Sequence, residues 1–264
     1  MRNISEKKRV VIKLGTSTLA HKTGKLNIRR MTALVKIIAD LHNSGLEIIL
    51  VSSGAVGLGT GKLGLREKPK DTPSKQAVAA IGQCELMHIY DDMFAKYSVL
   101  VAQILLTKTV LQINDSRHNV ENTIEKLLEM GAIPIVNEND TVAIDELELE
   151  IGENDTLAAI VATISKADLL VILSDIDGLY TEDPNKNPEA EPISTVEEIT
   201  PEIEQMAGGA GSSLGTGGMS TKINAAKVAS EAGIDMVILN GRRPDNLYDL
   251  FDNLEVGTIF KAEK

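Results

Sequence analysis

The chain has no tryptophan, three phenylalanines and four tyrosines, so aromatic residues make up only 3% of its 264 positions. Its core must therefore be aliphatic, and a platform that stacks unpaired bases on successive aromatic rings is excluded. Cysteine occurs once, at Cys84, which rules out an intrachain disulfide framework and a cysteine-based zinc site. Cys84 lies in an apolar helical stretch and reads as a small buried hydrophobe. The four histidines, His21, His42, His88 and His118, show no H-x-x-x-H spacing. No run approaches the ~18 apolar residues of a membrane-spanning helix. The N-terminal "MRNISEKKRVVIKLGTS" has too short an apolar stretch for a signal sequence. Basic charge is also in short supply, with 27 Lys+Arg against 38 Asp+Glu and a net charge of −11. Nucleic acids and anionic membranes require a basic field, so neither is an expected partner. The expected location is cytoplasmic. An anionic ligand can still bind where lysines and backbone N–H groups are gathered locally.

What is present is an alternation of short apolar runs and helical periodicities. "RVVIKL" (9–14) and "LEIILV" (46–51) are β-branched and apolar, as expected of strands buried on both faces. Between them Ile28, Met31, Leu34, Val35, Ile38 and Leu41 recur at helical spacing, and Gly45 stands where a helix would stop. This is a βαβ unit, whose crossover is expected to be right-handed. Further helices are expected at 74–96, from a cap at Asp115 or Ser116 to Met130, at 154–166 and at 218–232; further strands at 98–106, 132–136, 168–174 and 235–239. Residues 175–192 read as a loop. Residues 141–151, "TVAIDELELEI", alternate apolar and acidic side chains and predict a half-exposed strand or hairpin. No linker or composition break divides the chain, so residues 1–264 read as a single α/β domain with a mostly parallel sheet between helical layers.

Two glycine-rich stretches imitate known phosphate loops. "GTGGMSTKINAA" (215–226) has a lysine at the start of a predicted helix, but Thr221 precedes that lysine where a P-loop has glycine. Ile223 follows it where a P-loop has serine or threonine, and the nearest upstream strand is about 40 residues away. "GTGKLG" (59–64) matches G-x-G-x-x-G, yet a polar loop follows it instead of a helix. Small-residue segments nevertheless follow strand ends at "KLGTST", "SSGA", "NEND" and "SDIDGLY". In an open α/β sheet such ends face one crevice, where ligands bind. "GTGGMSTK" adds a helix N-terminus, which favours anions. Lys13 interrupts an otherwise buried strand just before a glycine, and it and Lys222 can converge on one anionic centre.

The segments "VVIKLGTST", "LVSSGAVGLG", "IPIVNENDTVA", "IGENDTLAAIVA", "LSDIDGLYTEDP" and "GTGGMSTKINAA", in this order, resemble the amino acid kinase family. Within that family they look like the branch that phosphorylates L-glutamate. The resemblance runs from about residue 8 to about residue 260. It implies an αβα sandwich around a mostly parallel sheet of about eight strands, with ATP and Mg²⁺ as donor and L-glutamate as acceptor. Carried over by position, Lys13 and Lys222 would touch the phosphates, and Asp155 would organise the two lysines. Ser53, Asp140 and Asn154 would bind glutamate, with Glu138 an alternative to Asp140. Ser174, Asp175 and the stretch Thr216, Gly217, Gly218, Met219, Ser220, Thr221 and Lys222 would bind ATP. The family also implies feedback inhibition by proline and a homo-oligomer, dimer or tetramer.

Many bacterial members carry a further C-terminal PUA domain, which is expected to be absent here because the chain ends at "VGTIFKAEK". The 141–151 hairpin reads as slightly longer and more acidic than is common. The alternatives are a kinase for another small acid, such as N-acetylglutamate or aspartate, or for a phosphorylated small molecule, and a silent binding protein on the same fold. "SSGA" stands where acetylglutamate kinases tend to have a second glycine-rich loop. Aspartokinases usually begin "KFGGTS", unlike "KLGTST" here, and carry regulatory domains that this length does not accommodate. Both phosphate lysines and Asp155 are present, which disfavours a silent protein.

Overall fold

A computed structural model describes residues 4–21, 25–142, 154–184, 186–207 and 218–263. Strand β1 (Arg9–Leu14) leads into a short helix α1 (Thr16–Leu19), then α2 (Ile28–Asn43) and β2 (Glu47–Ser52). Helices α3 (Ala55–Lys62) and α4 (Thr72–Ala95) precede β3 (Leu100–Leu106), and α5 (Lys108–Gln112) and α6 (Asn114–Glu129) precede β4 (Ala132–Glu138). There follow α7 (Asn154–Ile164), β5 (Leu169–Ser174), β6 (Leu179–Tyr180), β7 (Pro192–Ile193), β8 (Thr195–Val196) and α8 (Pro201–Ala207). The remaining elements are α9 (Met219–Glu231), β9 (Asp235–Asn240), α10 (Asn246–Phe251) and β10 (Thr258–Phe260).

Eight strands form one sheet in the order β3-β4-β2-β1-β5-β9-β10-β8. All neighbours from β3 to β9 are parallel, and β10 runs antiparallel to β9. The strands are near-continuous apolar runs because helices cover both faces. Alternate residues feed two aliphatic cores. Val10, Ile12 and Leu14 pack under α2 and α4, whereas Val11 and its neighbours pack under α6, α7 and α9. By the two-residue period of a strand, Lys13 shares the face of Val11. The three-layer α/β architecture is thus the expected one. No helix among the described residues is long and apolar enough to cross a membrane.

Several local expectations are corrected. α6 starts at Asn114 after Ile113, without a side-chain cap, and Asp115 lies in its first turn. The 175–192 loop contains the two-stranded β6-β7 ladder. Cys84 is exposed, because the buried stripe of α4 passes through Val78, Ala79, Gly82, Gln83, Leu86, Tyr90 and Phe94 and leaves Cys84 to one side. The predicted hairpin at 141–151 lies outside the described residues from 143 onward.

The G-x-G-x-x-G stretch ends α3 and opens no helix, and its first glycine serves packing. A Cβ on Gly59 would stand 2.0 Å from the carbonyl oxygen of Val78, and one on Gly82 would stand 1.7 Å from that of Ala55. α3 and α4 are therefore in backbone contact. Gly54, at φ +110° before α3, makes the left-handed turn that launches the helix from β2. Gly82→Ala is expected to force this crossing apart and to lower stability by about 1–3 kcal/mol or more. A urea denaturation midpoint unchanged from the wild type would show that the two helices do not need this approach.

Candidate active site

The carboxyl ends of β1, β2, β4, β5 and β9 share one edge of the sheet, and the first turns of α7 and α9 open onto the same edge. Three charged side chains meet there. Asp155, in the first turn of α7, is 1% exposed, Lys13 of β1 is 12% exposed and Lys222 in the first turn of α9 is 7% exposed. Lys13 Nζ lies 2.5 Å from Asp155 Oδ1, and Lys222 Nζ lies 3.3 Å from Oδ2. Thr221 Oγ1 stands 3.1 Å from the same Oδ2 and 2.9 Å from the Gly218 carbonyl, tying the start of α9 to Asp155. Gly218 forms no side-chain cap, which leaves the α9 N-terminus to backbone donors and the helix dipole. Burial works against a charged Asp155, but the nearby ammonium groups of Lys13 and Lys222 outweigh it and hold the carboxyl below its usual range.

Beside this cluster Asn154 Nδ2 donates to Ser53 Oγ at 2.6 Å and approaches the Ser52 carbonyl at 3.2 Å and Asn137 Oδ1 at 3.3 Å. Asn137 Nδ2 in turn donates to Gln83 Oε1 at 2.8 Å. Asp140 follows β4 at the same edge, where burial raises its carboxyl above the usual range.

On the other side of β1, Ser174 ends β5, and its hydroxyl lies 3.5 Å from Asp175 Oδ1. The Gly241 amide donates to the Ser174 carbonyl at 2.8 Å. Asn240 Nδ2 donates to Asp177 Oδ1 at 2.9 Å and Asn240 Oδ1 accepts from the Arg242 amide at 2.9 Å, so the loops after β5 and β9 are fastened together.

Lys13, Asp155 and Lys222 therefore meet directly, and so do Ser53 and Asn154, while Ser174 and Asp175 stand at the adjoining strand end. Of the glycine-rich stretch, Met219 packs on the α7–α9 core, Ser220 is exposed and Thr221 binds Asp155. Thr216 and Gly217 lie outside the described residues. Asn137, Gln83, Asn240 and Asp177 were not singled out in the sequence. A signal for Asn240 exists: "VILS" (171–174) and "VILN" (237–240) repeat, and they pair in register as neighbouring strands.

Among the described residues no group of three or more His, Cys, Asp or Glu side chains could cage a metal ion. Asp155 has both oxygens engaged by lysines. The donor set thus suits a Mg²⁺ carried mainly by phosphate oxygens and water.

A sequence profile of the amino acid kinase family matches residues 8–240. The chain is 53% identical to the glutamate 5-kinase of Clostridium perfringens (strain 13 / Type A) over 263 residues, covering 99% of this chain and 98% of that protein. It is 50% identical to the glutamate 5-kinase of Listeria innocua over 264 residues, with 99% and 96% covered. Its fold is similar to that of the isopentenyl phosphate kinase of T. acidophilum, solved as a product complex. That likeness has a TM-score of 0.66 at 17% identity and covers 96% of this chain and 100% of the other.

The depressed carboxyl gives stability a pH dependence. A folded value below the ordinary 3.8 means that folding favours the ionised form. Asp155 contributes fully above that ordinary value, and its contribution disappears as pH falls through the folded value. The melting temperature of Asp155→Asn is therefore expected to lie below that of the wild type near neutral pH, and the margin to shrink as pH falls below about 5 and the wild-type carboxyl becomes protonated. A margin independent of pH down to acid unfolding would contradict the ion-pair assignment.

Proposed function

The chain belongs to the amino acid kinase family and, within it, to the glutamate 5-kinases, and on that footing we propose that it transfers the terminal phosphoryl group of ATP to the γ-carboxylate of L-glutamate. The product is γ-glutamyl 5-phosphate, and the reaction is the first step of proline biosynthesis. The observation that carries this reading is the buried Lys13–Asp155–Lys222 cluster at the shared end of the strands.

The acceptor is a carboxylate, already ionised at neutral pH. No general base is needed, and the absence of a histidine from the cluster is no obstacle. The difficulty is the repulsion between an anionic acceptor and a polyphosphate, so catalysis consists of alignment and charge stabilisation. Lys13 and Lys222 supply the positive charge around the transferred group. Between unit charges ~4 Å apart at an effective dielectric of about 20 the attraction is roughly 4 kcal/mol, which bounds each lysine's gross contribution before desolvation. Asp155 holds both ammonium groups in place. Its lowered pKa fits this role and makes it a poor base. One oxygen of the acceptor forms the new bond to phosphorus as the bond to the bridging oxygen breaks. The electron pair leaves with ADP, and no proton moves. A Mg²⁺ carried in with the nucleotide would further neutralise the phosphate oxygens.

On the acceptor side, Ser53 and Asn154 bind the glutamate carboxylates and Asp140 its α-ammonium group. Ser53 Oγ already accepts from Asn154, which leaves its own O–H to donate to a substrate oxygen. A cation beside Asp140 offsets the penalty of that carboxylate's burial. On the donor side, Ser174, Asp175 and the segment from Thr216 to Lys222 bind ATP. We place the whole reaction in one catalytic domain of a cytoplasmic homo-oligomer, with proline inhibiting by overlap with the glutamate site.

The test is ATP-dependent acyl phosphate formation from glutamate, trapped with hydroxylamine. Turnover with N-acetylglutamate or aspartate but not with glutamate would overturn the assignment. Lys222→Ala is expected to lower kcat by at least about 100-fold with the fold intact, and an unchanged kcat removes this lysine from the mechanism. Proline is expected to raise the apparent KM for glutamate and to leave kcat alone. Inhibition that lowers kcat at constant KM rejects the overlap.

A further inference from the structure

α4 sets two buried polar side chains, Gln83 and Tyr90, among its apolar ones, and each reaches a strand end on the acceptor side. Tyr90 Oη lies 2.8 Å from Ser52 Oγ on β2. Gln83 is nine-tenths buried and accepts from Asn137 Nδ2 on β4. From Asn137 the relay continues to Asn154 and Ser53.

One atom fixes the direction of the whole relay. The Ser52 carbonyl can only accept, so the amide nitrogen of Asn154 is the atom that faces it. That same nitrogen faces Asn137, which must turn its oxygen towards Asn154 and its nitrogen towards Gln83. Gln83 must then present its oxygen. The consequence is a buried Gln83 Nε2 with no hydrogen-bond partner among the described residues. An unpaired buried donor is unfavourable, and an apolar side chain of the same length would avoid it. What the glutamine supplies in exchange is the acceptor for Asn137.

We infer that Gln83 is a positioning residue for the phosphoryl acceptor. By taking Asn137 Nδ2 it turns Asn137 Oδ1 towards Asn154, which keeps Asn154 Nδ2 on Ser53 Oγ and leaves the Ser53 hydroxyl proton free for a substrate carboxylate. Gln83 does not touch the substrate. The inference rests on the glutamate-phosphorylating reading and adds to it a residue remote from the ion-pair cluster.

Two variants test it in the hydroxylamine assay, with KM measured separately for glutamate and ATP. Gln83→Met keeps length and removes the acceptor, whereas Gln83→Glu keeps an oxygen facing Asn137. Gln83→Met is expected to raise the glutamate KM by about tenfold while the ATP KM stays within about twofold. Gln83→Glu is expected to hold the glutamate KM within about threefold of the wild type. An unchanged glutamate KM in Gln83→Met, an equal rise in both KM values, or a Gln83→Glu enzyme as impaired as Gln83→Met overturns the inference. If Gln83→Met does not fold, Gln83→Glu decides: a near-normal glutamate KM supports the role and a raised one rejects it. The wild type run alongside separates the two readings. Wild-type enzyme inactive on glutamate overturns the glutamate reading itself, whereas active wild type with an unaffected Gln83→Met overturns only the role of Gln83.

Discussion

At the centre of the sheet's carboxyl edge Asp155 is almost completely enclosed, with an ammonium group on each oxygen. The three side chains come from β1, α7 and α9, which are brought together only by the folded sheet. A lone carboxylate at this depth would be protonated. The two neighbouring ammonium groups keep this one ionised, and two lysines against one aspartate give the cluster an excess of positive charge in a protein of net charge −11. Its field is therefore opposite in sign to that of the molecule. The surplus positive charge at the mouth of a parallel sheet is an invitation to an anion, and the dipole of α9, whose N-terminus opens on the same edge, adds to it.

The six parallel strands from β3 to β9 and the long helices are legible because each is a run of one period, whereas β6, β7, β8 and β10, of two or three residues each, are too short to show one. "RVVIKL" is β1 residue for residue, and the heptad-like spacing from Ile28 to Leu41 is α2. Lys13 was legible for the same reason, since a charge in an apolar strand breaks the pattern. What escaped the sequence depends on pairs of residues far apart. Gly59 sits in a glycine-rich stretch and Gly82 in an expected helix, and nothing local shows, before α3 and α4 cross, that neither has room for a side chain. Gln83 and Asn137 are 54 positions apart, and nothing local marks either as half of a hydrogen bond. The start of α6 differs from the expectation because Asp115 is suited both to a cap and to a first turn, and the helix already begins at Asn114.

The side of the site around Ser53 and Asn154 is held by packing as much as by hydrogen bonds. Gly82 lets α4 lie against the start of α3, which itself follows directly on Ser53 and Gly54. The residue next to Gly82 is Gln83, and Tyr90 two turns on is stacked against Phe94 and bonded to Ser52. One helix thus presses on the β2 loop through its backbone and tethers β2 and β4 through its side chains. The side around Ser174 is fastened differently, by Asn240 bridging the loops after β5 and β9.

The strand order places β2, β3 and β4 on one flank of β1, and β5, β8, β9 and β10 on the other. Among the described residues of this sheet, the strands before residue 140 other than β1 therefore lie on the flank of Ser53 and Asn137, and the later ones on the flank of Ser174 and Asn240. On the proposed assignment, the first half of the chain reads the molecule to be modified and the second half holds the phosphate source. β1 is shared between them, and α7 seals the joint with Asn154 turned to one half and Asp155 to the lysines of both. Such a layout allows one half to drift in its choice of ligand while the other keeps its own, provided the two residues at the head of α7 stay in step with both.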